Sequence, residues 1–187
     1  MNYLKTKNLL FIGLLLILII ISCSKKEENI AKKTSGEATI NSILYGYGPY
    51  YTIGFSFSEG SLVKYPDVTE VEADITILPI ESLDGTVTGA YLESPGIKES
   101  FSLTAEYSSS ESALNFYNNY KQIIDSVFYE LAMPLEENQI WTFLTRYNKY
   151  AKLMILRVSI IRDQNNSSYV ETTFKWQYQP DGSKLFD

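Results

Sequence analysis

The chain has 187 residues, of which 45% are hydrophobic and 14% aromatic, so it is long and apolar enough to fill the core of one domain. Its formal net charge of −6 argues against nucleic acid as a partner. The sequence has no histidine and a single cysteine, which excludes histidine-based nucleophile pairs, histidine-ligated zinc and a disulfide within the chain.

The N-terminal segment has the organisation of a signal peptide. Lys5 and Lys7 precede an apolar run over residues 9–21. This run is shorter than the about 20 apolar residues of a transmembrane helix, and it falls within the about 7–15 residues of a signal-peptide core. Ser22, a small residue suited to a signal peptidase, lies directly before Cys23. We therefore expect residues 1–22 to be removed.

The last four residues of this segment, Ile20-Ile21-Ser22-Cys23, resemble the lipobox of bacterial lipoprotein precursors. The resemblance implies that a diacylglycerol is attached to the Cys23 thiol and that the chain is cleaved between Ser22 and Cys23. It also implies that the new amino group is acylated, with palmitate or a similar chain. Two other interpretations stay open: an uncleaved N-terminal anchor, and an ordinary signal peptide with an incidental cysteine.

Lipid attachment would place the protein in the bacterial cell envelope, with the membrane as its partner through the anchor. Two or more acyl chains hold a protein on a bilayer stably, whereas one binds only marginally. Ser24, rather than aspartate, follows the cysteine, which predicts the outer membrane, on its periplasmic or its surface face. Removal of residues 1–22 takes away two lysines and no acidic residue, so the net charge of −6 becomes −8.

The mature chain divides into a tether and a domain. Residues 23–37 contain the lipidated cysteine and a charged stretch without a periodic apolar face, which predicts a flexible tether. Residues 38–187 are expected to form one domain. Apolar side chains alternate with polar ones at Ile53, Phe55 and Phe57 and again over residues 71–78, the period of half-buried strands.

The middle of the chain predicts a hairpin, a strand and a helix. Asp84-Gly85 is a hairpin-turn signal, and alternation over residues 101–107 predicts a strand with one solvent-facing side. Ser108 and Glu111 have the spacing of a capping box, which predicts one main helix over about residues 109–126. Its apolar positions recur with helical spacing at Ala113, Tyr117, Tyr120, Ile124 and Val127.

The C-terminal third predicts a β-meander. Residues 140–147, 153–161 and 169–178 have the composition of strands, and residues 163–168 have that of a polar hairpin loop. The expected fold class is α+β, with antiparallel β-sheets, one main helix and the C-terminal meander.

Residues 61–179 resemble an α+β domain of uncharacterised bacterial lipoproteins. The resemblance rests on Tyr65-Pro66-Asp67, Tyr107-Ser108, Phe116-Tyr117 and the meander; Phe128-Tyr129 stands where such domains often carry a Gly-Trp pair. These domains share no single activity, so the resemblance implies no functional residue.

Three patterns imitate catalytic or metal-binding motifs. Ser61 and Lys64 have the spacing of penicillin-binding enzymes but lack their partner motifs. Asp163 opens a stretch like a calcium loop, with Ser168 and Phe174 where the loop requires glycine and glutamate. The adjacent acids Glu136-Glu137 are typical of a solvated loop. We expect no catalytic, cofactor-binding or metal-binding residue.

Residues 45–51 contain the strongest indication of recognition. Tyrosines alternate with glycines here, and Tyr47 and Tyr50 are the candidate contact residues for an envelope protein or glycan. The alternative is that these rings pack in a first hairpin whose turn is formed by Gly48-Pro49.

The sequence therefore favours an envelope lipoprotein that binds or scaffolds and is not an enzyme. Two alternatives stay open: an envelope hydrolase that uses carboxylates or a Ser-Lys pair, and a surface antigen without a ligand.

Overall fold

The computed structural model describes residues 32–45, 51–66, 71–96, 99–124 and 126–186. All of them belong to one compact unit, Lys32–Asp187. Ser22 and Cys23 of the predicted cleavage site, and the candidate contact residues Tyr47 and Tyr50, lie outside the described residues.

The described residues form ten strands and one helix. In chain order these are β1 (Ser35–Asn41), β2 (Thr52–Ser56), β3 (Ser61–Tyr65), β4 (Thr76–Glu81), β5 (Val87–Glu93), β6 (Phe101–Glu106), α1 (Ser110–Asn119), β7 (Leu131–Ala132), β8 (Gln139–Leu144), β9 (Tyr150–Arg162) and β10 (Ser168–Gln179). The fold is strand-dominated and antiparallel with a single short helix, which confirms the predicted class at this level.

Three antiparallel sheets surround the core. The large sheet has the strand order β1-β10-β9-β8-β6, and the small sheets are β2-β3 and β4-β5-β7. An isolated bridge between Phe55 and Ile75 joins β2 to the start of β4, and another between Phe101 and Tyr129 joins β6 to the segment before β7. The predicted C-terminal meander is confirmed, because β8, β9 and β10 are consecutive neighbours in the large sheet.

The core is built around a cluster of aromatic side chains. Phe55 lies with its ring centroid 5.0 Å from that of Trp176 and 5.4 Å from that of Phe174. Phe57 lies 5.2 Å from Phe143 in the same way. Trp176 and Phe174 point inward because alternate residues of β10 face the core, as the period-2 pattern predicted.

The β4–β5 hairpin corrects one predicted boundary. The strand predicted over residues 71–78 was expected to end before Pro79, but β4 begins at Thr76 and continues through Pro79 to Glu81. Pro79 is tolerated because β4 is an edge strand, where a missing N–H breaks no ladder bond. The predicted turn is present: Asp84 Oδ1 accepts the Thr86 N–H, and Gly85 has φ +80°.

The sheet begins earlier than the sequence pattern predicted. Ser35, Gly36 and Glu37, assigned to the tether, pair with Gln177, Trp176 and Lys175 of β10. Lys32 also forms an ion pair with Glu59 at 2.6 Å. The predicted domain start at Ala38 therefore falls within β1, because cross-strand hydrogen bonding does not require the apolar periodicity from which the boundary was estimated.

The helix begins near Ser109, as predicted, but its N-cap is Ser109 rather than Ser108 of the predicted capping box, and it ends earlier than predicted. Ser109 is the N-cap, and its Oγ accepts the Ser112 N–H. The helix stops at Asn119 rather than near residue 126, because the next residues pair with the C-terminal segment: the Ile123 N–H donates to the Lys184 carbonyl at 2.9 Å. The expected apolar face consequently fails at Ile124 and Val127, which are exposed.

Gly54 allows β2 to pass close to the segment before β4. A Cβ at this position would lie 2.5 Å from the Ile75 carbonyl oxygen and 2.6 Å from Ala73 Cβ. We expect Gly54→Ala to lower the free energy of unfolding by about 3 kcal/mol or more, because backbone must move to relieve the overlap. Chemical denaturation measures this change.

Gly36→Ala is the matched control. The atoms nearest to its Cβ would belong to the Trp176 ring, at 3.6 Å or more, which is ordinary contact, so we expect a change within about 0.5 kcal/mol. If Gly54→Ala and Gly36→Ala had equal free energies of unfolding, the close approach of β2 to the segment before β4 would be contradicted.

Candidate ligand-binding site

A cavity of about 420 Å³ opens between β4 and the ends of β1 and β10. This volume falls within the about 300–1,000 Å³ of typical small-molecule sites. Its wall is apolar and is formed by Ile43, Leu44, Ile77, Leu78 and Pro79. We call this cavity the apolar cleft.

The apolar cleft exists because β2 and β4 are bonded at one end only. The Phe55 N–H donates to the Ile75 carbonyl at 2.9 Å, and the Ile75 N–H donates back to the Phe55 carbonyl at 3.2 Å. Peptide groups of an antiparallel strand alternate in direction, so Ile77 presents its backbone to the same side as Ile75, away from β5. Pro79 is the next residue whose backbone points to this side, and it has no N–H to donate. This edge of β4 therefore cannot form a complete ladder of backbone hydrogen bonds.

The polar groups of the cleft are held by hydrogen bonds to the framework. Thr76 Oγ1 lies 3.1 Å from Glu93 Oε1, Thr52 Oγ1 donates to the Asn41 carbonyl at 3.3 Å, and Ser42 Oγ accepts the Val170 N–H at 3.1 Å. Side chains fixed in this way present preformed acceptors to a ligand at a low entropy cost.

The charge of the cleft is acidic. Glu81, Glu93 and Asp163 are among its lining residues, and none of the described lining residues is a lysine or arginine. A desolvated anion would be repelled by these carboxylates, whereas a neutral or cationic ligand would not. The arrangement can therefore bind an apolar molecule that carries hydrogen-bond donors or a positive charge.

The predicted recognition stretch begins and ends beside the apolar cleft. The Tyr45 N–H donates to the Tyr51 carbonyl at 2.9 Å, and their rings meet edge-to-face with centroids 5.8 Å apart. Leu44, the residue before Tyr45, lines the cleft. The stretch is thus tied at its base next to the cavity, and the roles of Tyr47 and Tyr50 stay predictions.

The other motifs singled out in the sequence do not assemble into a site. Ser61 and Lys64 both lie on β3, where residues three apart face opposite sides. Glu137 is exposed and accepts the Val158 N–H at 3.4 Å. Asp163 Oδ1 accepts the N–H groups of Asn165 and Ser167 at 2.9 and 2.8 Å, so the calcium-like stretch is a hairpin turn.

A second, polar hollow of about 130 Å³ contains Asp74, Glu72 and Arg146. Arg146 forms an ion pair with Glu72 and donates to the Pro95 carbonyl at 3.0 Å. Asp74 is buried, and its Oδ2 accepts the Phe57 N–H at 2.7 Å. Burial raises the pKa of Asp74 to about 6, and this hydrogen bond and one from Ser56 oppose that rise.

The described residues meet neither the requirements of a metal site nor those of a membrane-spanning helix. Within the described ranges, no three acidic or cysteine side chains are close enough to hold a metal ion. No helix in the same ranges is both long and apolar enough to cross a bilayer.

Comparison with known proteins adds no relative. No protein-family model matches the chain, and a search of curated proteins finds no match either.

Sequence reasoning missed the apolar cleft because its lining comes from segments far apart in the chain. Residues 42–44, 76–81 and 163–169 meet only after the sheets pack, and the calcium-like pattern that begins at Asp163 gives no indication of an apolar cavity. The local signal was the pattern of residues 45–51, whose flanking residues Leu44 and Thr52 line the cleft.

Asp74 predicts a measurable pH dependence of stability. Its folded pKa of about 6 lies above its ordinary 3.8, so the native state binds the proton more tightly than the unfolded state. This contribution is complete below pH 3.8 and is lost as the pH rises through 6. Between pH 4 and 7 the ionisation of Asp74 should lower the free energy of unfolding of the wild type by up to about 3 kcal/mol. We expect this decrease to be absent in Asp74→Asn, as measured by denaturant unfolding at each pH.

Asp84→Asn is a control, because the pH dependence of stability that Asp84 contributes has the opposite sign to that of Asp74. Hydrogen bonds from Ser82 and Thr86 lower the pKa of the exposed Asp84 to about 2, so its contribution is present above its ordinary pKa and lost in acid. Parallel pH profiles for wild type and Asp74→Asn would contradict the assigned proton affinity.

Proposed function

We propose that the chain is a lipid-anchored protein of the bacterial envelope whose α+β domain binds a ligand in the apolar cleft. The observation that carries this proposal is the cavity of about 420 Å³, with an apolar wall and a few fixed polar groups. Such a composition is typical of sites that bury a small molecule and orient it through a few polar contacts.

The wall and the polar groups have distinct roles in this proposal. Ile43 and Leu44 are 46% and 54% exposed, so a ligand that covers them removes apolar surface from water at about 25 cal/mol per Å². Thr52 and Ser42 are held by framework hydrogen bonds and would fix the ligand's orientation. Binding therefore requires no large rearrangement of the described residues.

The polar hollow supports binding over the hydrolase alternative. Its carboxylates have structural partners: Asp74 accepts the Phe57 N–H, and Glu72 pairs with Arg146. Ser61 and Lys64, the other proposed catalytic pair, face opposite sides of β3. The surface-antigen alternative requires no ligand, so saturable binding in the apolar cleft would separate it from the present proposal.

A cleft-blocking variant tests the proposed function. Leu44→Trp replaces a half-exposed leucine at the opening of the apolar cleft by a larger side chain, and Leu44 is not part of the core. With N-phenyl-1-naphthylamine, a neutral dye that fluoresces in apolar surroundings, we expect saturable binding at one site to wild type. The affinity should fall about tenfold in Leu44→Trp, equivalent to about 1.4 kcal/mol.

Leu83→Trp is the matched control, because Leu83 is fully exposed in the β4–β5 turn and does not line the cleft. Its affinity should equal that of wild type. Equal weakening in both tryptophan variants, or no saturable binding to wild type, would rule out the apolar cleft as the ligand site.

The proposed anchor depends on Cys23, the only thiol in the chain. We expect Cys23→Ala to abolish incorporation of radioactive palmitate and to leave the precursor uncleaved or missorted, because no other thiol can accept the diacylglycerol. Ser22→Ala keeps a small residue before the cysteine and should label normally. Undiminished labelling of Cys23→Ala would contradict the lipoprotein assignment.

A further inference from the structure

We propose that the ligand of the apolar cleft is an elongated aliphatic molecule with a cationic amine near each end, that is, a diamine or polyamine. This inference rests on the proposed function of the cleft and adds the chemical class of its ligand. It follows from the placement of acidic and apolar groups along β4.

Carboxylates lie toward both ends of β4. Glu93 is the cross-strand partner of Thr76, the first residue of β4, whereas Glu81 is its last residue. Strands rise about 3.3 Å per residue, so these two levels are roughly 16 Å apart along β4. Glu81, Glu93 and Asp163 all line the same cavity, which places an acidic residue near each end of an extended ligand.

Between these levels the wall is apolar. Ile77, Leu78 and Pro79 occupy the middle of β4 and line the cleft. A polymethylene chain can lie against them and lose its contact with water, whereas a hydrated or branched polar chain would gain nothing there. Tyr65 and Tyr169 add aromatic rings to the lining, and such rings attract ammonium groups through their faces.

Among the described residues, Glu81, Glu93 and Asp163 form no ion pair with a lysine or arginine of the protein. Lys64 Nζ lies 5.2 Å from the ring centroid of Tyr45, and Arg162 borders a neighbouring hollow that also contains Glu81. The ion pairs formed among the described residues are Lys32–Glu59, Arg146–Glu72 and Arg157–Glu171, and none of them includes a carboxylate of the cleft. A ligand cation would therefore complement the local charge.

Calorimetric titration with four eight-carbon compounds tests the inference. These are octane-1,8-diamine, octylamine, octane-1,8-diol and octanedioate, which share the aliphatic chain and differ in charge. We expect the diamine to bind about tenfold more tightly than the diol and more tightly than octylamine, and octanedioate not to bind. The advantage of the diamine should shrink as salt is added.

Charge-neutral variants locate the effect. Glu81→Gln and Glu93→Gln should each weaken diamine binding severalfold and weaken diol binding by clearly less, because they remove the charge and keep the shape of the side chain. Glu130→Gln removes an exposed carboxylate that does not line the cleft and should behave like wild type. Loss of diamine binding in Leu44→Trp would show that the diamine binds in the same cavity as the dye.

The outcomes separate this inference from the proposed function. Diol binding equal to diamine binding would overturn the assignment of a diamine while leaving the cleft as a ligand site. The diamine could also bind equally well to wild type and to all three variants, Glu81→Gln, Glu93→Gln and Leu44→Trp. That result would show only a general attraction to the acidic surface, and it would also overturn the assignment of a diamine to the cleft. If neither the dye nor any of the four compounds binds, the proposed function itself fails.

Discussion

The packing of Phe55 and Phe57 against the large sheet holds this domain together. Phe55 contacts Phe174 and Trp176 of β10, and Phe57 contacts Phe143 of β8. Both phenylalanines are almost fully buried. Because β2 is bonded to the start of β4 through Phe55, the same residue also brings the second small sheet over the core. Each such ring contributes several kcal/mol when it is fully packed, so the three sheets depend on this one cluster.

The outer face of the large sheet is organised by a buried lysine. Lys152 of β9 donates from Nζ to the carbonyls of Tyr117 and Tyr120, each at 2.9 Å, where α1 ends. Its ammonium also lies 4.6 Å from the Tyr117 ring centroid and 5.0 Å from that of Phe186. Burial lowers the pKa of Lys152 to about 8, with nearby Lys121 adding to the effect. A cation suits this position because the carbonyl end of a helix carries partial negative charge, and it ties the helix end and the C-terminal segment to the sheet.

The apolar cleft follows from the way in which the sheets meet. β2 covers the start of β4 and diverges from it after the bridge at Phe55 and Ile75, so that the rest of β4 pairs with no other described strand on that side. Pro79 prevents that edge from pairing fully with another strand, a common protection of edge strands. The edge that could have been an aggregation hazard is thereby available to line a cavity, with apolar side chains in the middle and carboxylates toward the ends.

The sequence by itself determined the local features: the alternation of β10, the Asp84-Gly85 turn, the start of α1 near Ser109 and the absence of histidine chemistry. Each of these depends on residues within a few positions of one another. Tertiary structure alone decided where α1 ends, because residues 121–123 gain hydrogen bonds from the C-terminal segment that periodicity cannot indicate. It also decided that β1 begins at Ser35 and that Ile43, Ile77 and Asp163 share a cavity. Contacts between residues so distant in the chain arise from packing, and no local pattern encodes them.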